Sequence, residues 1–327
     1  LEDSSDYLRV GLHYDSYWRS ALMLDLSFRN LIGHGSNLSF SLQTSEFTRF
    51  QAQYFIHAGL RSQIGLRLEY NYIDDQIDYY DGSERYASEE VGSSILGMYL
   101  ETVMSRIAHG SFGLEAHWST LTPEIAPVRW DKSSSSQVML SGSLLFDSLD
   151  RTPFPHRGVR FGVSGLSAER SLGSDLDFER YLTSLEIFIP GGSFWTFSLG
   201  GGAGTTRGEE IPRTHIFYLG GINSSYVLQE APSREFIGLE HEELSGRHFI
   251  TAAASVQYEF RSELFAALKF NAGNTAAARS DLLREEDIVM AGGFSVGYSS
   301  FLGPVELTLS TGSAHDFMAF FDIGSRF

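Results

Sequence analysis

The 327-residue chain has no cysteine, which removes disulfides, thiol catalysis and Cys-ligated zinc together. It is also poor in positive charge: 24 Lys and Arg stand against 41 Asp and Glu, for a net charge of −17. Such a chain does not bind nucleic acid by neutralising phosphates, and it points to a partner surface that is cationic or bridged by metal ions. Lysine is nearly missing, with only Lys132 and Lys269. The cations are therefore almost all Arg, the side chain suited to buried and interfacial ion pairs. Long apolar runs are lacking too. Phe317 to Phe321 is of the longest kind present, far short of the roughly 18 to 20 apolar residues of a membrane-spanning helix. A helical membrane protein is excluded, but a transmembrane barrel is not, because its strands alternate lipid-facing apolar with lumen-facing polar residues. The first residues, Leu1-Glu2-Asp3-Ser4, include neither an initiator Met nor an apolar signal region, as expected of a mature or truncated product whose N-terminal context lies elsewhere.

What is present is period two. From Trp18 to Asn30, Leu22, Leu24, Leu26 and Phe28 share one face, while Met23, Asp25, Ser27 and Arg29 share the other. After a turn carrying Gly33 and Gly35, Leu38, Phe40 and Leu42 again oppose Ser39, Ser41 and Gln43, which makes a hairpin. Repeating the exercise gives sixteen strands, at 7–15, 18–30, 36–45, 49–59, 63–73, 94–105, 110–119, 136–147, 158–167, 178–189, 193–203, 248–260, 263–271, 288–299, 303–311 and 316–327. An even count of strands about 10 residues long is what a tilted outer-membrane barrel requires. The connections near 31–35, 60–62, 106–109, 190–192, 261–262 and 300–302 are short, whereas 74–93, 120–135, 204–247 and 272–287 are long. Short turns on one rim and long loops on the other are the membrane-barrel asymmetry.

A soluble double sandwich or propeller also has many alternating strands. Two features favour the barrel. Aromatics such as Tyr7, Tyr14, Tyr70, Trp118, Trp130, Tyr258 and Phe260 read as outward girdles at the membrane interfaces. Arg9, His13, Asp25 and Arg29, on the inward face, are too polar for a packed sandwich core and natural in a wet lumen. The expected fold is all-β, a 16-stranded antiparallel transmembrane barrel, with residues 1–327 forming a single outer-membrane domain that is the C-terminal part of a longer protein.

Three stretches carry a family resemblance. Phe146-Asp147-Ser148-Leu149-Asp150-Arg151-Thr152-Pro153-Phe154-Pro155-His156-Arg157-Gly158 falls between the eighth and ninth strands, Phe217-Tyr218-Leu219-Gly220-Gly221-Ile222-Asn223-Ser224-Ser225-Tyr226 falls in the long sixth outer loop, and the last strand ends on Phe327. Together they resemble the BamA/TamA-type (bacterial surface antigen) barrels of outer-membrane protein assembly and two-partner secretion. The resemblance implies a sixth loop folded into the lumen, a bacterial outer-membrane location with both termini periplasmic, and a first-to-last-strand seam that opens sideways. It also implies partners: outer-membrane lipid and lipopolysaccharide, a polypeptide cargo or fused upstream domain, and the barrel-assembly machinery acting through the C-terminal strand. Most members carry Val-Arg-Gly-aromatic in the sixth loop, and here Ser225-Tyr226-Val227-Leu228 stands at that place, without the Arg. A further pattern, Phe236 to Leu239 with Glu243 to Gly246, resembles barrels fused behind patatin-like phospholipase domains in type V autotransporters.

The residues singled out are structural or gating. Asp147, Asp150, Phe154, Pro155 and Gly158 are expected to fix the periplasmic turn, and Gly220, Gly221 and Tyr226 to shape the plug. Gly11 and Gly324 should weaken the seam. No catalytic, cofactor or metal residue is named. Gly293-Phe294-Ser295-Val296-Gly297 fits the nucleophile-elbow pattern, but Ser295 lies inside an alternating strand rather than on a strand-to-helix tip. His215, His241 and His248 lie in or beside the sixth loop, with His315 and Asp316 placed on the other side of the barrel, and no nucleophile–base pair emerges. Asp74, Asp75, Asp78 and Asp81, like Glu240, Glu242 and Glu243, read as solvated rim charge, because they lack the Gly turn of a calcium loop. The function expected is membrane anchor and polypeptide conduit for a fused patatin-like domain, with a passive pore, a surface-binding scaffold or a barrel-borne hydrolase as alternatives.

Overall fold

The computed structural model describes residues 6–15, 19–57, 64–126, 130–222, 233–301 and 303–324. Its strands in chain order are β1 (Tyr7–Asp15), β2 (Arg19–Arg29), β3 (Ser36–Thr44), β4 (Thr48–His57), β5 (Ile64–Asp81), β6 (Glu84–Ser105), β7 (Ala108–Ile125), β8 (Ser133–Asp147), β9 (Gly158–Ala168), β10 (Phe178–Pro190) and β11 (Trp195–Gly208), then β12 (Phe217–Leu219), β13 (Ser233–Arg234) and β14 (Leu244–Gly246), then β15 (His248–Arg261), β16 (Leu264–Ala276), β17 (Val289–Ser300), β18 (Gly303–Gly312) and β19 (Met318–Ile323). Sixteen of these close into one antiparallel barrel, and β12, β13 and β14 form a small separate sheet within the sixth loop. The expected strands are all there, in the expected order.

Alternation decides which way each side chain faces. In β2, Met23, Asp25 and Ser27 are buried toward the lumen, while Leu22 and Leu26 point outward. Ser295 lies within β17 and is buried in the wall, so the Gly-x-Ser-x-Gly stretch is strand and not an elbow. Two aromatics assigned to the outer girdle belong elsewhere. Tyr7 shares the face of Arg9, whose guanidinium stands 4.4 Å from its ring centroid. Trp130 packs edge-on against Tyr79, with centroids 4.9 Å apart, above the barrel mouth.

The larger correction concerns residues 74–93 and 120–135, which are not loops throughout. β5, β6 and β7 run for 18, 22 and 18 residues, and β5 and β6 meet at a tip of Gly82 and Ser83. Period two continues through the acidic stretch because its carboxylates find partners on the sheet. Arg49 bonds Asp75 at 3.2 Å, Arg85 bonds Asp78 at 3.1 Å, and the Tyr72 hydroxyl donates to Asp74 at 2.8 Å. A paired carboxylate does not need a solvated loop. The result is a hairpin taller than a membrane crossing. It leans over the mouth far enough for the Ser83 hydroxyl to donate to the Ala314 carbonyl, 3.2 Å away, between β18 and β19.

Where the barrel closes, the ladder is short. Among the described residues β1 and β19 share two register pairs, Tyr14 with Ile323 and Asp15 with Asp322, whereas β1 and β2 are paired along the whole of β1. The outward Leu8, Val10 and Leu12 are 61%, 61% and 62% exposed, as lipid-facing residues elsewhere in the wall are, Leu268 at 63% and Leu199 at 57% among them.

Candidate functional site

The site is the lumen together with what fills and closes it. The sixth loop, from the end of β11 to the start of β15, folds inward. A short 3-10 turn at Arg213–His215 leads into β12, which pairs with β14 and β13. Gly220 and Gly221 follow β12 with φ of +142° and +75°. The Gly221 amide donates to the Leu239 carbonyl at 3.0 Å, and its carbonyl accepts from the Phe236 amide at 2.8 Å. A side chain at Gly220 would run into the Glu240 carbonyl, so the close approach of the two segments needs glycine there.

This fold gives the plug an apolar foot. Phe217, Leu219, Phe236, Ile237 and Leu239 are each at most 1% exposed and pack with Leu182, Phe249 and Ala291 of the wall. At about 1.5 to 3 kcal/mol for each fully buried large side chain, undocking the foot would cost on the order of the stability of a whole domain. Polar ties add to it. The Ser310 hydroxyl donates to the Ile237 carbonyl, and His315 Nε2 lies 2.8 Å from Glu243 Oε2. His315 therefore does not sit across the barrel from the sixth loop; the loop reaches it.

The other edge of the plug is a lip in which Tyr218, buried with Ile77, Val91 and Leu121 of β5, β6 and β7, sits beside a set of polar contacts. Arg213 Nη1 is paired with Glu89 of β6, which is 1% exposed, and donates to the Tyr79 hydroxyl at 3.3 Å. Its guanidinium stands 4.7 Å from the Trp130 centroid and 5.5 Å from that of Tyr79. Tyr79 in turn donates to Glu89 at 2.6 Å, and Tyr218 donates to the Arg213 carbonyl at 2.9 Å. Arg213 thus holds the loop to the far wall by an ion pair and two aromatic faces.

His215, next in this lip, is enclosed by His117, at 5.5 Å between centroids, and Phe178, at 4.8 Å. Burial, then the charges of Arg180 and His117, push its pKa well below 6.5. It is neutral in the docked lip, whereas an undocked, hydrated His215 titrates normally, so acid protonates the undocked form first. The docking contribution is complete above about pH 6.5 and declines as the pH falls below it. Single-channel openings should therefore be more frequent at pH 5 than at pH 7.5. His215→Leu should flatten that dependence.

Below the plug, the turn between β8 and β9 is a strap rather than a simple reversal. Asp147 accepts from the Leu149 amide at 3.0 Å and from Arg160 Nε at 2.9 Å. Asp150 accepts from the His156 and Arg157 amides at 2.9 and 3.2 Å. Partial burial raises the Asp150 pKa, but those amides and the Arg151 charge outweigh it and hold the carboxyl below its ordinary value. Gly158 has φ +123°, and a Cβ there would meet the Ser148 backbone. Phe154, itself at φ +56° and followed by Pro155, stacks on Phe265 of β16 with centroids 4.6 Å apart and lies over Gly297 of β17. Arg151 reaches Glu259 of β15 at 2.9 Å, and His156 Nδ1 is 2.7 Å from Thr196 Oγ1 of β11. The turn crosses part of the mouth to four consecutive wall strands, none of them paired with β8 or β9.

A family profile described as the OMP85 superfamily matches residues 2–327. The chain belongs to the OMP85 superfamily. It is an outer-membrane β-barrel of the protein-assembly and translocation class. Its fold is similar to that of BamA from Haemophilus ducreyi lacking POTRA domains 1-3, with a TM-score of 0.81 at 16% identity over 100% of this chain and 71% of that one. It is also similar to CdiB from Escherichia coli, with a TM-score of 0.61 at 13% identity over 98% and 67%, and to CdiB from Acinetobacter baumannii, with 0.60 at 10% over 97% and 59%. No protein of curated function matches it in sequence.

In this OMP85 barrel the structure brings Asp147, Asp150, Phe154, Pro155 and Gly158 together in the strap, and Gly220 with Gly221 just after β12. Gly324, at φ +116°, lies against the backbone of Leu12 and His13 at the seam, one residue beyond Gly11. Tyr226 and Phe327 lie outside the described residues. Sequence reasoning missed Arg213, Glu89 and the strap's far contacts. The alternation of Ile77 with Tyr79, and of Val91 with Glu89, was the available sign that a wall stood where a loop was expected.

Proposed function

We propose that this barrel is a membrane anchor and a polypeptide conduit whose sixth loop is the resident gate, with the loops at the cell surface and both termini in the periplasm. The observation that carries the reading is the combination of a seam with two register pairs among the described residues and a lumen occupied by the protein's own loop. A passive porin needs neither. The printed names of the similar structures, BamA and CdiB, support a role in handling polypeptides. We read residues 1–327 as one non-catalytic domain and the cargo as a fused upstream domain of the patatin-like kind, on the strength of Phe236 to Leu239 and Glu243 to Gly246. The reading frame upstream of Leu1 tests the cargo: a Gly-x-Ser-x-Gly hydrolase followed by a periplasmic module supports it, and its absence removes the patatin part alone. Planar-bilayer recording tests the gate. A plugged conduit gives small, fluctuating currents, and large steady currents would instead mean an open pore.

A further inference from the structure

The Gly-x-Ser-x-Gly stretch of β17 makes no nucleophile elbow, yet the structure gives each of its glycines a task. Gly293, Ser295 and Gly297 share the lumen face of the strand, in three successive steps along the wall. The Ile237 side chain of the foot stands over Gly293, where an added Cβ would lie 3.0 Å from its Cδ1. The Phe154 ring of the strap lies over Gly297, where an added Cβ would overlap it. The plug and the strap enter from opposite rims and rest on one strand, with Ser295 between them on that face. This middle step is nearly closed to water: Ser295 is 3% exposed, and Thr308, its register partner on β18, is 0% exposed. An ion pair crosses it. Lys269 of β16, the register partner of Gly293, reaches Glu306 of β18, the register partner of Gly297. Thr308 Oγ1 donates to the Glu306 carboxylate at 3.2 Å, and the Ser295 hydroxyl donates to it as well. One of the chain's two lysines therefore joins the step under the foot to the step under the strap.

We infer that the strap and the foot dock as one cooperative unit, stapled by the Lys269–Glu306 pair, so that loosening the strap at one rim loosens the plug from the other. The physical basis is a shared floor. When either element leaves, the step of Ser295 and Thr308 is open on one side, water enters, and the attraction within the ion pair falls as the local dielectric rises. Release of the first element carries the cost of wetting that step, and release of the second no longer does. Docking of the two is therefore positively coupled, and the coupling is reciprocal. The strap is the end that yields first. It is held by one stacked ring and by polar ties such as Arg151 to Glu259, which stand partly in water, whereas the foot buries five large apolar side chains. Lys269 and Glu306 act here as positioning residues for the plug. The inference rests on the inner face of β16 to β18 and holds whatever the lumen carries.

Amide hydrogen exchange on the purified, folded barrel in lipid nanodiscs tests it. The foot is reported by the amides of Gly221 and Phe236, which bond within the plug, and the strap by those of His156 and Arg157, which bond to Asp150. Phe154→Ala should speed exchange at Gly221 and Phe236 by about tenfold or more, and Ile237→Ala should speed exchange at His156 and Arg157 in return. Arg151→Ala, a milder loosening of the strap, should act on the foot in the same direction and more weakly. The amides of β2 to β4, remote from both elements, are the folding control; if Phe154→Ala disturbs them, Arg151→Ala carries the test. Lys269→Arg should preserve the coupling. In a barrel carrying Lys269→Met with Glu306→Gln, Arg151→Ala should no longer change exchange at Phe236. Foot exchange unmoved by loosening the strap, or strap exchange unmoved by Ile237→Ala, overturns the cooperative unit. Coupling that survives Lys269→Met with Glu306→Gln overturns the staple.

Discussion

Arg213→Ala should open the lip: single-channel openings become about 10- to 100-fold more frequent, with the amplitude of each opening unchanged or larger. The argument starts at Glu89, a carboxylate 1% exposed whose charge is answered by Arg213 and by the Tyr79 hydroxyl. Removing one member of a buried pair leaves the other uncompensated, a loss of about 3 to 5 kcal/mol when both are buried. Arg213 is 45% exposed at its side chain, so the loss here is smaller, roughly 1.5 to 3 kcal/mol. Each 1.4 kcal/mol is about tenfold in the docking equilibrium, which gives the stated range. Arg213→Lys keeps the charge but loses the planar fork that lies against Tyr79 and Trp130, and should fall between the two. Glu89→Gln removes the uncompensated charge together with its partner's attraction, and should rescue part of the Arg213→Ala effect. If Arg213→Ala leaves the opening frequency unchanged, the lip is not the gate.

Closing the seam with a disulfide should stop transport. Tyr14 and Ile323 are register partners across β1 and β19, and Tyr14→Cys with Ile323→Cys places the only two thiols of the chain there. Among the described residues the seam has two register pairs against nine between β1 and β2, so it is the shortest ladder in the barrel wall. The buried approach of His13 Nδ1 to Asp322 Oδ1, 3.7 Å, adds a side-chain contact across the same joint. Gly324 at φ +116° lies where the ladder would continue toward Leu12. A covalent tie removes opening altogether. Transport should fall to background when the pair is oxidised and return fully with a reductant, the reduced form serving as control for folding. Undiminished transport by the oxidised protein would mean that cargo leaves through the lumen alone.

How much of this could be read from the chain follows from the range of the interactions. Strand positions were legible because the lipid and the lumen impose period two on every crossing, so Leu22 against Met23 already tells out from in. The strap's reversal was legible for a local reason as well: Asp150 caps amides six and seven residues on, and Gly158 needs its positive φ. Where the strap goes was not, since Arg151 finds Glu259 at a separation of 108 residues and no local pattern announces that. The same holds for Arg213 and Glu89, 124 residues apart. Acidic density misled where it met arginine in space: Asp75 and Asp78 looked like a solvated rim until Arg49 and Arg85 were seen beside them. The family's loop arginine is missing from its expected place after Gly221. Arg213, before β12, ties the loop to the wall through Glu89.

The most direct measurement is export of a passenger. A short unfolded, protease-sensitive peptide fused ahead of Leu1 is produced with this barrel in an outer membrane, and intact cells are treated with protease. The account predicts that the passenger is cleaved from outside in the wild-type barrel and in Arg213→Ala, and is protected when the Tyr14→Cys, Ile323→Cys seam is oxidised. A passenger that stays protected in the wild-type barrel, with the barrel itself correctly inserted, would contradict the conduit.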